Sequence, residues 1–163
     1  DRVSRGLGDV YKRQILVRGY NITQGYFNNP EATQEAIDID GWLHTGDIGI
    51  LDGNGYIRIT DRSKDMFIVG GFNAYPAEIE NILCDHPAIS QAAVIGIDDE
   101  RMGEVAKAFV VLKPNHDLNS ASLMHWSKNN MANYKVPREI EFMEELPTNA
   151  AGKIMKYVLK EKS

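Results

Sequence analysis

The chain has 163 residues, 43% hydrophobic and 25% charged, with a formal net charge of -5. That content supports a folded core and argues against general disorder, and the acidic balance argues against a generic nucleic-acid binder. One cysteine, Cys84, excludes an internal disulfide framework and any cysteine-built zinc cluster; no apolar run reaches the roughly 18 residues a membrane helix needs. With no secretory pattern visible, these features fit a cytoplasmic protein.

Residues 1–14 stand apart. They mix Arg2, Arg5, Lys12 and Arg13 with Asp1 and Asp9 and hold no sustained period. They read as a non-native leader, with a frayed native N-terminus as the alternative. Ile15-Leu16-Val17 then predicts a short buried strand, Asn29-Pro30 a turn, and Glu31 to Ile37 a short helix. Trp42 to Leu51 and Tyr56 to Thr60 read as strands joined by Asp52-Gly53-Asn54-Gly55, a strong hairpin signal because Gly and Asn tolerate positive φ. This stretch of about 47 residues is too small and open to stand alone.

After Arg62 the pattern changes. Met66 to Val69 is apolar and Gly70-Gly71 interrupts it. Pro76 can open a helix, since its missing N–H has no partner in the first turn, and Ile79, Ile82 and Leu83 supply one apolar face. Ala92 to Ile97 and Val105 to Leu112 read as strands around an acidic loop, Asp98 to Glu104. Asn119 or Ser120 can cap a helix that turns Leu123, Trp126 and Met131 inward; Ile140 to Met143 is a last strand and Lys153 to Lys160 a terminal helix. The order is that of an α+β domain of roughly 100 residues.

Three stretches can carry chemistry. In Thr45-Gly46-Asp47, Gly46-Asp47 is either a turn entering a strand or a two-oxygen acceptor for adjacent sugar hydroxyls. His44, nearby, reads as structural or solvated. Thr60 to Asp65 is either a solvated charged loop or an interdomain hinge, with Arg62 offering a fixed positive fork and Gly70-Gly71 allowing close backbone approach to an extended ligand. Leu146 to Lys153, LPTNAAGK, is not a phosphate-binding Walker loop, because Pro147 replaces the first glycine and Ile154 follows the lysine. It is either a surface loop or a device for delivering the Lys153 ammonium to a phosphate.

Taken in order, Asp47 in TGD, Arg62 in DRSKD, VGGFNAYPAEIE (Val69 to Glu80), YKVP (Tyr134 to Pro137) and LPTNAAGK (Leu146 to Lys153) resemble the C-terminal portion of AMP-forming acyl-CoA synthetases. Luciferases and peptide-synthetase adenylation domains share that superfamily. The resemblance implies ATP-driven formation of an acyl-adenylate with release of pyrophosphate, then transfer of the acyl group to CoA. By motif position it assigns the nucleotide ribose to Asp47, supported by Arg62. It assigns the α-phosphate to Lys153 and the hinge to Lys64. The pantetheine tunnel falls to Gly70 and Gly71. Ile68 stands where luciferases carry a second lysine, which argues against light emission.

The same resemblance implies a β-rich tail of a larger N-terminal domain over 15–61, a hinge at 62–65 and a small mobile lid over 66–163. The main ATP and magnesium site would lie in the larger domain, so the fragment alone is expected to be inactive. The wording is most similar to bacterial fatty-acyl ligases and ligases of steroid-ring acids, which places the parent in fatty-acid and lipid metabolism. The alternatives are an adenylation domain that loads a carrier protein and a noncatalytic binding module derived from the family.

Overall fold

The computed structural model describes residues 12–163. The leader expected over residues 1–14 lies outside them except for Lys12 to Gln14, which form the start of the first strand. The chain divides after Lys64 into two compact units.

The first unit is a three-stranded antiparallel meander with one short helix. Strand β1 is Lys12–Val17, helix α1 Pro30–Ala36, β2 Leu43–Leu51 and β3 Ile57–Arg62, in sheet order β1-β2-β3. β1 begins three residues before the expected apolar run, because Lys12, Arg13 and Gln14 pair with Ile50, Gly49 and Ile48. Nor is the run buried, since Leu16 is 42% exposed. Helix α1 starts where Asn29 accepts a hydrogen bond from Ala32 N–H at 3.0 Å and Pro30 fills the first turn. The β2–β3 turn is built by Asp52, whose Oδ1 accepts from the N–H of Asn54 at 2.8 Å and of Tyr56 at 2.9 Å.

The second unit carries strands β4 (Phe67–Val69) and β5 (Phe72–Ala74) and helix α2 (Pro76–Cys84). Strands β6 (Ile89–Asp99) and β7 (Gly103–Leu112) follow, then helix α3 (Ser120–Asn130), strand β8 (Glu139–Phe142) and helix α4 (Lys156–Glu161). A single 3-10 turn covers Asn133–Lys135. The sheet runs β5-β4-β7-β6, and β8 lies parallel to β7.

Alternation along β6 divides two apolar layers. Ala92 and Val94 face Ile79 and Leu83 of α2 and Leu123 of α3. Ala93 and Ile95 face Phe109, Leu146 and Leu159 of α4 on the other side. Ile79 and Leu83 are fully buried, each contributing about 1.5–3 kcal/mol.

Three further expectations change. The acidic loop shrinks to residues 100–102, because Asp98 and Asp99 pair with Glu104 and Gly103 and so continue the hairpin. Lys153 is not in the last helix, which starts at Lys156; Met155 N–H is instead taken by Pro147 C=O at 2.8 Å, closing a loop. Met131 packs against the core from the cap position beyond α3 and not from the helix itself.

Candidate functional site

The candidate residues fall into separate local arrangements, one in the first unit and two in the second. In the first, Asp47 and Arg62 are register partners on β2 and β3, and Arg62 Nε donates to Asp47 Oδ1 at 2.8 Å. The approach to Asp47 is tightly specified. Thr45 Oγ1 donates to Ile15 C=O at 2.8 Å and accepts from Asp47 N–H at 3.1 Å. Gly46, with φ +76°, turns its carbonyl to Ser63 N–H at 2.8 Å. That φ suits glycine, since a side chain there is strained.

Asp47 is largely shielded, at 20% side-chain exposure, whereas Arg62 is 60% exposed. The carboxylate is therefore held in place while the guanidinium is free to exchange partners. His44 turns elsewhere, its Nε2 lying 3.3 Å from Asp38 Oδ2. The Asp38 carboxyl is held below its usual range, chiefly by the Trp42 N–H. Lys64 is exposed in the turn at which the units divide.

In the second unit, Gly70 and Gly71 form the two-residue turn of the β4–β5 hairpin, between the paired residues Val69 and Phe72. Their φ values of +56° and +88° match the type I′ turn that tight hairpins favour. Gly70 N–H donates to Met102 C=O at 2.8 Å, and a Cβ on Gly70 would meet Met102 Cε at 2.6 Å. Met102 is itself held by Asp99, whose Oδ1 accepts from the N–H of Met102 at 2.8 Å and of Arg101 at 3.0 Å. Those bonds, Met102 first, lower the Asp99 carboxyl below its usual range. Glu104 Oε2 accepts from Ile68 N–H at 2.9 Å. Phe72 stacks on Tyr134 of the YKVP stretch, with ring centroids 5.0 Å apart.

Lys153 occupies a third arrangement. Its loop is closed by Asn149, whose N–H donates to Lys153 C=O at 2.9 Å and whose Oδ1 accepts from the N–H of Ala151 at 3.0 Å and of Lys153 at 2.9 Å. Thr148 and Ile154 form a bridge below. The Lys153 side chain is exposed and, among the described residues, makes no ion pair. A well-fixed backbone thus carries an uncommitted cation.

Two glutamates of the PAEIE stretch were not singled out in the sequence. Glu78 Oε1 accepts from Lys135 Nζ at 2.7 Å, and Glu80 Oε1 from Lys156 Nζ, also at 2.7 Å. Their i, i+2 spacing on a helix with an apolar face carries no signal of partners this distant in the chain.

Residues 78–153 match the family model of the AMP-binding enzyme C-terminal domain. That stretch carries the C-terminal domain of AMP-binding enzymes. It is 54% identical over 148 residues to a methyl-dioxo-octahydro-indenyl-propanoyl:CoA ligase of Rhodococcus jostii, covering 91% of this chain and 29% of that protein. A feruloyl-CoA synthase of Amycolatopsis is 47% identical over 145 residues, 89% of this chain and 29% of the relative. ATP-bound MatB from Rhodopseudomonas palustris superimposes with a TM-score of 0.87 at 36% identity, over 96% of this chain and 31% of MatB. Apo MatB, over the same shares, gives a TM-score of 0.67 at 37% identity.

The chain spans under a third of the length of the relatives it matches, as the α+β C-terminal part of their architecture. Among the described residues no helix is long and apolar enough to cross a membrane. Among them, too, no group of three or more histidine, cysteine, aspartate or glutamate side chains is arranged to hold a metal ion by itself.

Proposed function

We propose that this chain is the C-terminal part of an ATP-dependent acyl-CoA ligase acting on a fatty or related carboxylic acid. A carboxylate oxygen of the acid attacks the α-phosphorus of ATP, the bond to pyrophosphate breaks, and acyl-AMP forms. The CoA thiol then attacks the acyl carbonyl, AMP leaves, and the thiol proton passes to solvent.

The observation that carries this reading is the exposed, unpaired Lys153 ammonium on a loop fixed by its own backbone bonds. An ammonium in a fixed position stabilises charge gathering on the α-phosphate oxygens without reorganising, and the effect grows where water is excluded. Asp47 would accept both ribose hydroxyls, with Arg62 moving from Asp47 toward phosphate. The Gly70-Gly71 turn, having no side chains, would let the thin pantetheine arm pass along the backbone. Lys64 would be the hinge between the arrangements serving the two steps, a reading supported by its exposed place in the turn at which the two units divide.

The test is Lys153→Ala in the intact enzyme, with the half-reactions measured separately in single turnovers. Acyl-AMP formation should fall by about 10²–10³-fold, the usual cost of losing one transition-state donor. CoA transfer from synthetic acyl-AMP should stay near wild type. Equal loss in both steps would contradict the assignment.

A further inference from the structure

Lys156 lies three residues beyond Lys153, at the start of α4, and its ammonium reaches Glu80 on α2. These helices lie on opposite faces of the sheet: α2 packs on Ala92 and Val94, α4 on Ala93 and Ile95. Between them runs β6, an edge strand that among the described residues pairs only with β7. The same Glu80 oxygen that takes Lys156 also accepts the outward N–H of Val94 at 2.8 Å. One carboxylate thus joins both helical layers and the sheet edge between them. Both side chains are mostly shielded, at 21% exposure for Lys156 and 18% for Glu80. At that burial an ion pair is directional and costly to break from one side.

The loop of Lys153 has apolar roots at Leu146 and Ile154, both packed in the layer against α4. Apolar contacts fix depth but leave a loop free to slide and rotate, because they are non-directional. The Lys156–Glu80 pair supplies the direction. We infer that Glu80, acting through Lys156, is a positioning residue that sets where Lys153 is held. The inference rests on the ligase reading for its catalytic consequence, but its structural half stands independently.

The experiment has two arms. In the 163-residue chain, Glu80→Gln keeps an oxygen for Val94 N–H and removes the charge, and Lys156→Met removes the partner. Hydrogen exchange at the Lys153 and Met155 amides should accelerate at least about tenfold in either variant, with the Gly70 amide unchanged as a control for the fold. Lys156→Arg should restore protection.

In the intact enzyme, the same charge-removing variants should slow acyl-AMP formation about 10- to 100-fold at little cost in ATP KM, as a displaced catalytic group does. Thioester formation from synthetic acyl-AMP should be spared. Unchanged exchange at the loop, equal loss in both half-reactions, or failure of Lys156→Arg to rescue would overturn the proposal. A wild-type enzyme that forms no acyl-AMP would instead overturn the ligase reading, and the exchange arm would still decide whether the pair holds the loop.

Discussion

The two units use β-structure to opposite ends. In the second, helices cover both faces of the sheet, and Phe109, Ile79, Leu83, Ile95 and Leu159 are almost wholly buried. In the first, Ile48 is the only buried hydrophobic among the described residues, while Leu51, Ile57 and Ile59 are each about 60% exposed. A single-layer meander cannot hide both its faces, so its order rests on turn chemistry and ladder hydrogen bonds. The second unit has a core to stabilise it; the first places Asp47 and Arg62 with almost none.

That contrast can be broken by experiment, and the two tryptophans make it readable, since Trp42 lies in the first unit and Trp126 in the second. The largest effect is expected for Leu83→Ala. Denaturant unfolding followed at Trp126 should show about 2–5 kcal/mol of destabilisation, through lost transfer energy plus a cavity. A loss below 1 kcal/mol would mean that the core of the second unit is far looser than described.

Next is Asn119→Ala, which removes the acceptor for Ser122 N–H at the start of α3 and should cost about 1 kcal/mol by the same measurement.

A smaller effect should come from acid. Burial, with the nearby charges of His116 and Lys113, lowers the His86 pKa below its ordinary value of 6.5. Its Nδ1 accepts from Ala88 N–H at 3.2 Å, and Trp126 packs edge-on at 5.1 Å. The unfolded chain therefore binds the proton first as pH falls through about 6.5, and stability drops below that pH. His86→Phe should flatten this part of the urea-midpoint profile between pH 7.5 and 5. An unchanged slope would remove His86 from the account. The smallest effect belongs to the first unit: Ile59→Ala should move the Trp42 transition by no more than about 0.5 kcal/mol.

Much of this was legible in the residues, for identifiable reasons. The α2 face shows as apolar positions at helical spacing behind Pro76, and the β2–β3 hairpin as Asp-Gly-Asn-Gly. Such signals are local. The short strand β5 and the 3-10 turn at Asn133–Lys135 were missed because three residues hold no period to read. The β6–β7 hairpin outran its expected ends, since ladder bonds carry Asp98 and Asp99 into the sheet although their composition reads as loop.

At the candidate site, the motif residues were each visible as unusual types in unusual company, while their companions were not. That Asp47 meets Arg62 depends on a register shift after Ile48, and that Glu80 meets Lys156 depends on two helices meeting around a strand. Neither is written in any window of sequence.

The bond from Val94 N–H to Glu80 has a consequence for how the protein behaves in crowded solution. An edge strand of eleven residues is a template for another chain's backbone, and proteins commonly blunt such edges with charge or cover them. Here a single carboxylate occupies a donor midway along β6 and sets a charged side chain beside it. Glutamine at position 80 would still fill that donor, whereas alanine would leave it open. The two substitutions should therefore part in their tendency to aggregate at high concentration, with alanine the more prone.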